Sequence, residues 1–414
     1  MTRLLRDPSF VKLFAGQAIS QIGSRITREG LPLAAILMLG ASPMQMGILS
    51  SASAAAMLAL GLFAGALADR IRRRPILIAA DLARAALLAT VPLAALAGRL
   101  TFAHLVAVAA LAGIFTVLFD VSYQAYVPSL VDAGSLVEAN SSLSLTVSVA
   151  EVAGPPLAGV LVQTLTAPIA IAFDAFSFLV SAASLAWIRR PEPLPARAAP
   201  AHHILREIAE GVSFSWNDRR LRALMLASAT GAFFIGFHGA LYMLFAMRTL
   251  HLTPAVLGVL IAVGGASSIA GSLGAPRLIE CWGYGNSLIG AFALLASAAF
   301  LTPMAHGPVW MAAAFLSAAQ AGDAAWTIFD INQLSIRQSV TPPRLLARVN
   351  SAAHLTFRGV LPIGSLAGGM LAGVFGIRPT MVLAACGFSL SILWLVFSPV
   401  RGLRLTATAS HLTM

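Results

Sequence analysis

Apolar residues along this chain gather into long blocks broken only by short polar turns. The blocks lie near residues 10 to 39, 44 to 69, 75 to 97, 101 to 125, 136 to 163, 167 to 188, 219 to 247, 254 to 279, 285 to 305, 308 to 333, 346 to 375 and 378 to 398. Each is about twenty residues or more, enough to cross roughly 30 Å of hydrocarbon at about 1.5 Å per residue. The pattern predicts twelve membrane-spanning helices. An open sheet would leave backbone groups unpaired in lipid, and the alternation of a membrane barrel is absent. The first block, after Arg3, Arg6 and Lys12, is too long and too charged for a cleavable signal.

That first block reads FVKLFAGQAISQIGSRITREGLPLAAILML. On a helix, Gln17, Ser20, Gln21, Ser24, Arg25 and Arg28 share one side with Glu29 at its edge, while Ile19, Ile22 and Ile26 take the other. A central charge left facing lipid costs about 2.5 to 3.5 kcal/mol on an insertion scale, so these three must pair or meet water. Two readings follow. Arg25 and Glu29, at i and i+4, neutralise each other and leave Arg28 over. Alternatively, a wet cavity turns one or both arginines toward an anionic or carbonyl-rich substrate.

Composition supports a membrane protein, with 58% hydrophobic and 10% charged residues where soluble domains carry about a quarter charged. The net charge of +11 calls for no nucleic acid, because the basic residues sit on alternate loops. Arg3, Arg6 and Lys12, then Arg70 to Arg74, then the linker arginines, Arg277, Arg337, Arg344, Arg348, Arg401 and Arg404 mark one side, against Arg99, Arg248 and Arg378 on the other. The positive-inside rule places both termini in the cytoplasm, as expected for a multi-pass protein of a bacterial inner membrane. Cys281 and Cys386 form no framework, and His202 and His203 read as a solvated linker pair, so no metal and no cofactor are expected.

The chain also repeats. At an offset of 211, PMQMGIL from Pro43 falls on PAVLGVL from Pro254, and RDPSFVKLF from Arg6 falls near NDRRLRALM from Asn217. At 210, Asn140 meets Asn350, while Gly154 and Gly159 meet Gly364 and Gly369. These matches divide the chain into a bundle over 1–189, a cytoplasmic linker over 190–218 and a second bundle over 219–414. Parallel halves of this kind hold a transport site at their interface and expose it alternately.

The stretch GALADRIRRRPIL, from Gly65, resembles the loop signature after the second helix of the major facilitator superfamily, with Arg72 in place of its second glycine. DLARA at Asp81, VPSLVDAGSLVEANSSLS from Val127, GPPLAG at Gly154, FDAFSF at Phe173 and LLARVNS at Leu345 are similar to its drug and siderophore exporter branch. The resemblance implies an all-α major facilitator fold of two pseudo-symmetric six-helix bundles. It also implies a secondary transporter that exports a siderophore, macrolide or other drug as a proton antiporter. Gly65, Asp69, Arg70, Arg73 and Arg74 are then the cytoplasmic gate, and the arginines also suit anionic lipid. The fourth span lacks the arginine that proton-coupled antiporters of other branches carry.

In that fold the first, fourth, seventh and tenth helices line the cavity. Candidates for the substrate are therefore Gln21, Arg25, Arg28, Glu29, Asp120, Tyr123, His238, Asp323 and Trp326. Candidates for proton coupling are Glu29, Asp120, Glu151, Asp323 and Arg358, with Glu151 and Arg358 on fifth and eleventh helices expected to meet across the halves. The bland readings are a fixed Glu151–Arg358 pair, a packed His238 and a core Trp326. Asp81 and Arg84 read as structural, and Asp174 as an acid at a helix N-terminus. No phosphate loop, nucleophile elbow or H-E-x-x-H occurs, so no enzyme is expected and uphill transport must use an ion gradient. The expected partners are a small-molecule substrate, protons and membrane lipids, with the protein acting as a monomer. A facilitator or lysolipid flippase, and a receptor or scaffold without turnover, are the alternatives.

Overall fold

The computed structural model describes residues 4–68, 71–190, 192 and 204–403, and among them the chain is helical throughout, without strands. The first six spans are Pro8–Leu39, Pro43–Ala68, Arg73–Leu96, Phe102–Leu130, Leu136–Thr164 and Ala167–Ala186, and the seventh is Arg219–Arg248. Pro254–Met304 makes the eighth and ninth passes, turning at Gly283, whose φ of 74° is readily open only to glycine. Gly322 divides the tenth pass into Val309–Ala321 and Asp323–Val340. Pro343–Phe375 is the eleventh, and the twelfth continues from Ile377–Leu390 into Leu393–Val396. Eight of these helices meet a length and hydropathy standard for crossing a bilayer. The first, with its polar face, is not among them. Large apolar side chains such as Leu93, Leu273, Phe375 and Phe397 stand exposed, as lipid-facing positions do.

The first and seventh spans start alike, as the repeat requires. Asp7 accepts from the backbone N–H of Ser9 at 2.8 Å, and Asp218 accepts from Arg220 and Leu221 at 2.8 and 3.2 Å, each satisfying donors that a helix start leaves over. Partial burial pushes Asp218 upward, but hydrogen bonds from the Arg220 side chain and the two backbone groups outweigh it and hold this carboxyl below its ordinary value. The linker contains a helix that the Pro- and Ala-rich sequence did not announce, Ile204–Asn217. It packs on the start of the eleventh span, where Arg348 pairs with Glu210 and, at 3.4 Å, with Glu207. His202 and His203 lie outside the described residues.

Three hydrophobic cores set the arrangement of the halves. One contains residues of both, among them Leu33, Ala34 and Ala35 of the first span with Leu241, Leu244 and Phe245 of the seventh. It extends from the middle of the spans to the end opposite the chain termini. At the terminal end the described residues form two separate cores, one within the first half around Phe10, Leu77 and Leu130, the other within the second around Leu224, Phe329 and Leu395. The bundles are thus joined at one end and part toward the other.

The junction uses the repeat. A Cβ on Gly159 would lie 2.2 Å from the Pro254 carbonyl oxygen, and one on Gly258 2.2 Å from that of Pro155. In the other crossing, Gly369 faces the Pro43 carbonyl at 2.7 Å and Gly47 that of Ser365 at 2.6 Å. So the fifth span packs on the eighth, and the second on the eleventh. This corrects the expectation that fifth and eleventh helices meet: the backbones cross closely only where glycine faces a partner carbonyl.

Candidate functional site

Between the bundles lies a cavity of about 1170 Å³, lined by residues of all twelve spans. Its size is that of a site for a large organic molecule. Arg28 is exposed into it and makes no hydrogen bond or ion pair with the described residues. Glu29, one residue on, also lines it but is only 7% exposed. Arg25 pairs with Glu151 of the fifth span rather than with Glu29. The reason is a notch: a Cβ on Gly154 would lie 2.4 Å from that of Arg25, so glycine there lets the first span approach and brings the guanidinium to a carboxylate three residues earlier.

The opposite wall comes from the seventh, tenth and eleventh spans. The His238 ring lies 5.0 Å from that of Tyr242, and Trp326 packs between Phe329 and Phe357 at 5.8 Å from each. Asp323 begins the second segment of the tenth span, at the break after Gly322. Gly264 leaves room for it, since a Cβ there would lie 2.4 Å from Asp323 Oδ2. Glu151 is within electrostatic reach of Asp323 across the cavity. Gln21, Arg25, Asp120, Tyr123 and Arg358 do not line the cavity. Tyr123 stacks on Phe119 at 5.8 Å, and exposed Asp120 and Arg358 act on each other across the halves without an ion pair.

Residues 3–414 match a major facilitator family described as transmembrane secretion effector. The chain belongs to that family. The transporter is 27% identical over 241 residues to the multidrug efflux pump Tap of Mycolicibacterium fortuitum, a match covering 56% of this chain and 58% of that protein. Its fold is that of a bacterial homologue of the iron transporter ferroportin in an inward-facing state, with a TM-score of 0.77 at 18% identity over 95% of this chain and 98% of the other. Against an outward-facing form of that homologue the TM-score is 0.58, so the halves here are arranged more nearly as in the first. The nucleoside transporter NupG, at 12% identity, gives 0.72 over 94% and 98%. This is a multi-pass membrane transporter and not an enzyme.

Of the gate residues, Gly65 lies in the last turn of the second span, and Asp69 and Arg70 fall outside the described residues. Arg73 and Arg74 contact their own half. Arg74 donates to the carbonyls of Leu185 and Ala186 at 2.9 and 2.5 Å, and Glu192 accepts from the backbone N–H groups of Arg73 and Arg74 at 2.6 and 3.1 Å. Glu192 was not singled out in the sequence, where a lone acid in a Pro-rich linker gives no signal. Arg84 and Asp174 also reach the cavity wall. Asp174 sits two turns inside the sixth span and is 1% exposed, not at its N-terminus as expected. Its place in FDAFSF, an acid flanked by aromatics, was the available clue. No group of three His, Cys, Asp or Glu side chains suited to a metal occurs among the described residues.

Proposed function

We propose that this transporter exports an amphipathic small molecule with an anionic or carbonyl-rich group, of the siderophore or drug type, in exchange for protons. The basic loops support cytoplasmic termini by the positive-inside rule; on that orientation the end at which the bundles part faces inward and the cavity takes its load from that side. The observation that carries the reading is Arg28, a cation in the membrane interior that faces the cavity with no ion-pair partner among the described residues. Trp326, Phe357 and Phe178 supply apolar wall for the rest of the molecule. Glu29, Glu151 and Asp323 on the wall, with Asp120 opposite Arg358, are carboxylates able to exchange a proton as the halves rock. Gly65, Asp69, Arg70, Arg73 and Arg74 then serve the cytoplasmic gate.

Asp323 supports a second reading. It stands beside Trp326 with no ion-pair partner among the described residues, which suits a cationic amphipath. Proteoliposomes with an imposed pH gradient and an entrapped pH dye distinguish the two, using a catecholate siderophore as anionic probe and a macrolide as cationic probe. The anionic reading predicts proton flux driven by the siderophore, and a loss of about 10- to 150-fold in its affinity in Arg28→Gln, the equivalent of about 1.5 to 3 kcal/mol for a charge-assisted hydrogen bond. Macrolide-driven flux abolished by Asp323→Asn, with Arg28→Gln unaffected, selects the cationic reading. Binding of either probe without flux identifies a receptor.

A further inference from the structure

Behind the wall of the first half lies a buried charge cluster that the substrate reading does not use. Asp81, Arg84 and Asp174 are 0%, 5% and 1% exposed. Arg84 pairs with Asp81 and is clasped between the rings of Phe119 and Phe178, at 4.4 and 4.1 Å from their centres. Asp174 accepts from Ser177 at 2.9 Å, and the Thr27 hydroxyl faces it from the first span as that of Ser181 faces Asp81. Asp81 Oδ2 and Arg84 Nε are left without a made hydrogen bond.

The charge does not balance. Two buried carboxylates share one guanidinium, and Arg84 and Asp81 are the charged groups that act on Asp174 from the spans around it. Asp120 of the fourth span also acts on Arg84, but it is exposed and has Arg358 as a further counterion. One carboxylate is therefore in excess where hydrocarbon and packed helices surround it, and an unpaired buried charge is strongly disfavoured. A metal ion would meet the Arg84 guanidinium. A proton also works against that guanidinium, but once bound it leaves a neutral carboxyl and adds no second cation to the cluster. Asp174, Arg84 and Thr27 reach the cavity wall, which gives a proton a route to water.

The other half shows that the fold itself does not require charge here. At the repeat offsets, Phe119 and Phe178 correspond to Phe329 and Phe388, and Asp81 to Phe292. Phe292 packs against both, at 5.1 and 4.8 Å. Asp174 corresponds to Ala384. The same aromatic clasp thus closes on a phenyl ring in one half and on an arginine with two acids in the other.

We infer that Asp81, Arg84 and Asp174 form a proton-binding site confined to the first bundle, with one proton shared between the two carboxylates when the cavity faces the terminal end. When the proton leaves to cavity water, Asp174 becomes an anion and competes with Asp81 for Arg84. Because the guanidinium is clasped by the fourth and sixth spans, its displacement moves those spans relative to each other and links proton release to rearrangement of the cavity. The inference rests on the proton-antiport reading and adds to it the place where the proton sits.

Infrared difference spectroscopy of the purified transporter in lipid nanodiscs, without substrate, tests the site directly. The wild type at neutral pH is expected to show a protonated-carboxyl carbonyl band that is lost in Asp174→Asn. It is expected to be lost in Asp81→Asn as well, since Arg84 then neutralises the remaining Asp174, and to persist in Glu29→Gln. Both Asn variants keep the shape and relieve the charge excess, so thermal unfolding should be no lower than in wild type. A band that survives both variants overturns the site. So does a fall in thermal stability in either, because two ionised carboxylates would then be holding the cluster together. If the band behaves as expected while siderophore and macrolide drive no proton flux, the site stands and the antiport reading falls.

Discussion

Placing a methyl group on Gly258 tests how the halves are held together. The added Cβ would lie 2.2 Å from the Pro155 oxygen, 2.9 Å from its carbon and 3.0 Å from the Cα of Pro156. These are backbone atoms of a helix, so no side-chain rotation relieves the contact. An ordinary carbon–oxygen approach is about 3.3 to 3.6 Å, and the fifth and eighth spans must separate by roughly 1 Å. Overpacking of this kind costs about 1 to 3 kcal/mol. The strain exists only while the end opposite the termini is closed, so Gly258→Ala should favour the form open at that end by about 5- to 150-fold. Spin labels at Arg99 and His306, both exposed on loops at that end, report the separation once the exposed Cys281 and Cys386 have been replaced. The distance distribution should lengthen, and Gly47→Ala in the second crossing should shift it the same way. Gly239→Ala, with nothing within 4 Å of the new atom, should not. An unchanged distribution in both crossing variants would refute the assignment of these glycines as the closed junction.

Glu192→Ala should lower thermal stability by about 0.5 to 2 kcal/mol, since it removes the acceptor that caps the third span at Arg73 and Arg74, and unfolding of the detergent-solubilised protein measures it. Arg25→Gln and Glu151→Gln should each destabilise more than the double variant does, with a coupling of about 0.5 to 3 kcal/mol in a thermal cycle; additive effects would mean that the pair is not made. The Asp218 carboxyl is held below its ordinary value in the folded chain, so its cap contributes above the unfolded value near pH 4 and is lost as pH falls through the lower folded one. Unfolding of Asp218→Asn should accordingly show less loss of stability at acid pH than wild type.

The apolar blocks were sufficient for the twelve spans because hydrocarbon thickness sets a length that sequence displays directly. The repeat carried further than expected. Pro43, Gly47, Gly159 and Gly369, and their counterparts, prove to be positions where two backbones touch. Charge pairing was less legible. A helical wheel tells which side of the first span is wet, but not which neighbour will meet it. Arg25 found Glu151 because Gly154 let the fifth span come close, a fact that resides in two distant segments at once. An acid with a glycine three residues later is the only local trace of that pairing. The break at Gly322 that sets Asp323 at a helix start, and the depth of Asp174, likewise depend on where helices begin, which periodicity places only to within several residues.

The two bundles share their scaffold and not their charges. Carried across at the repeat offsets, Arg25, Glu29, Asp81, Arg84, Glu151 and Asp174 fall on Gly236, Ala240, Phe292, Leu295, Leu361 and Ala384. Arg28, at the same offset as Arg25, falls on Gly239, so each of these charges lands on an apolar residue or glycine. The crossings, by contrast, keep glycine and proline in register on both sides. Close backbone contact must be matched on the two sides of a pseudo-symmetric junction if both crossings are to open and close together. Ion binding has no such requirement, because a buried charge adds a desolvation cost in each half in which it occurs. Placing most charges at and behind the cavity wall in one bundle keeps most of that cost on one side; the second bundle buries Arg337 off the wall and presents an aromatic surface to the substrate, with Asp323 and His238 among its polar groups there.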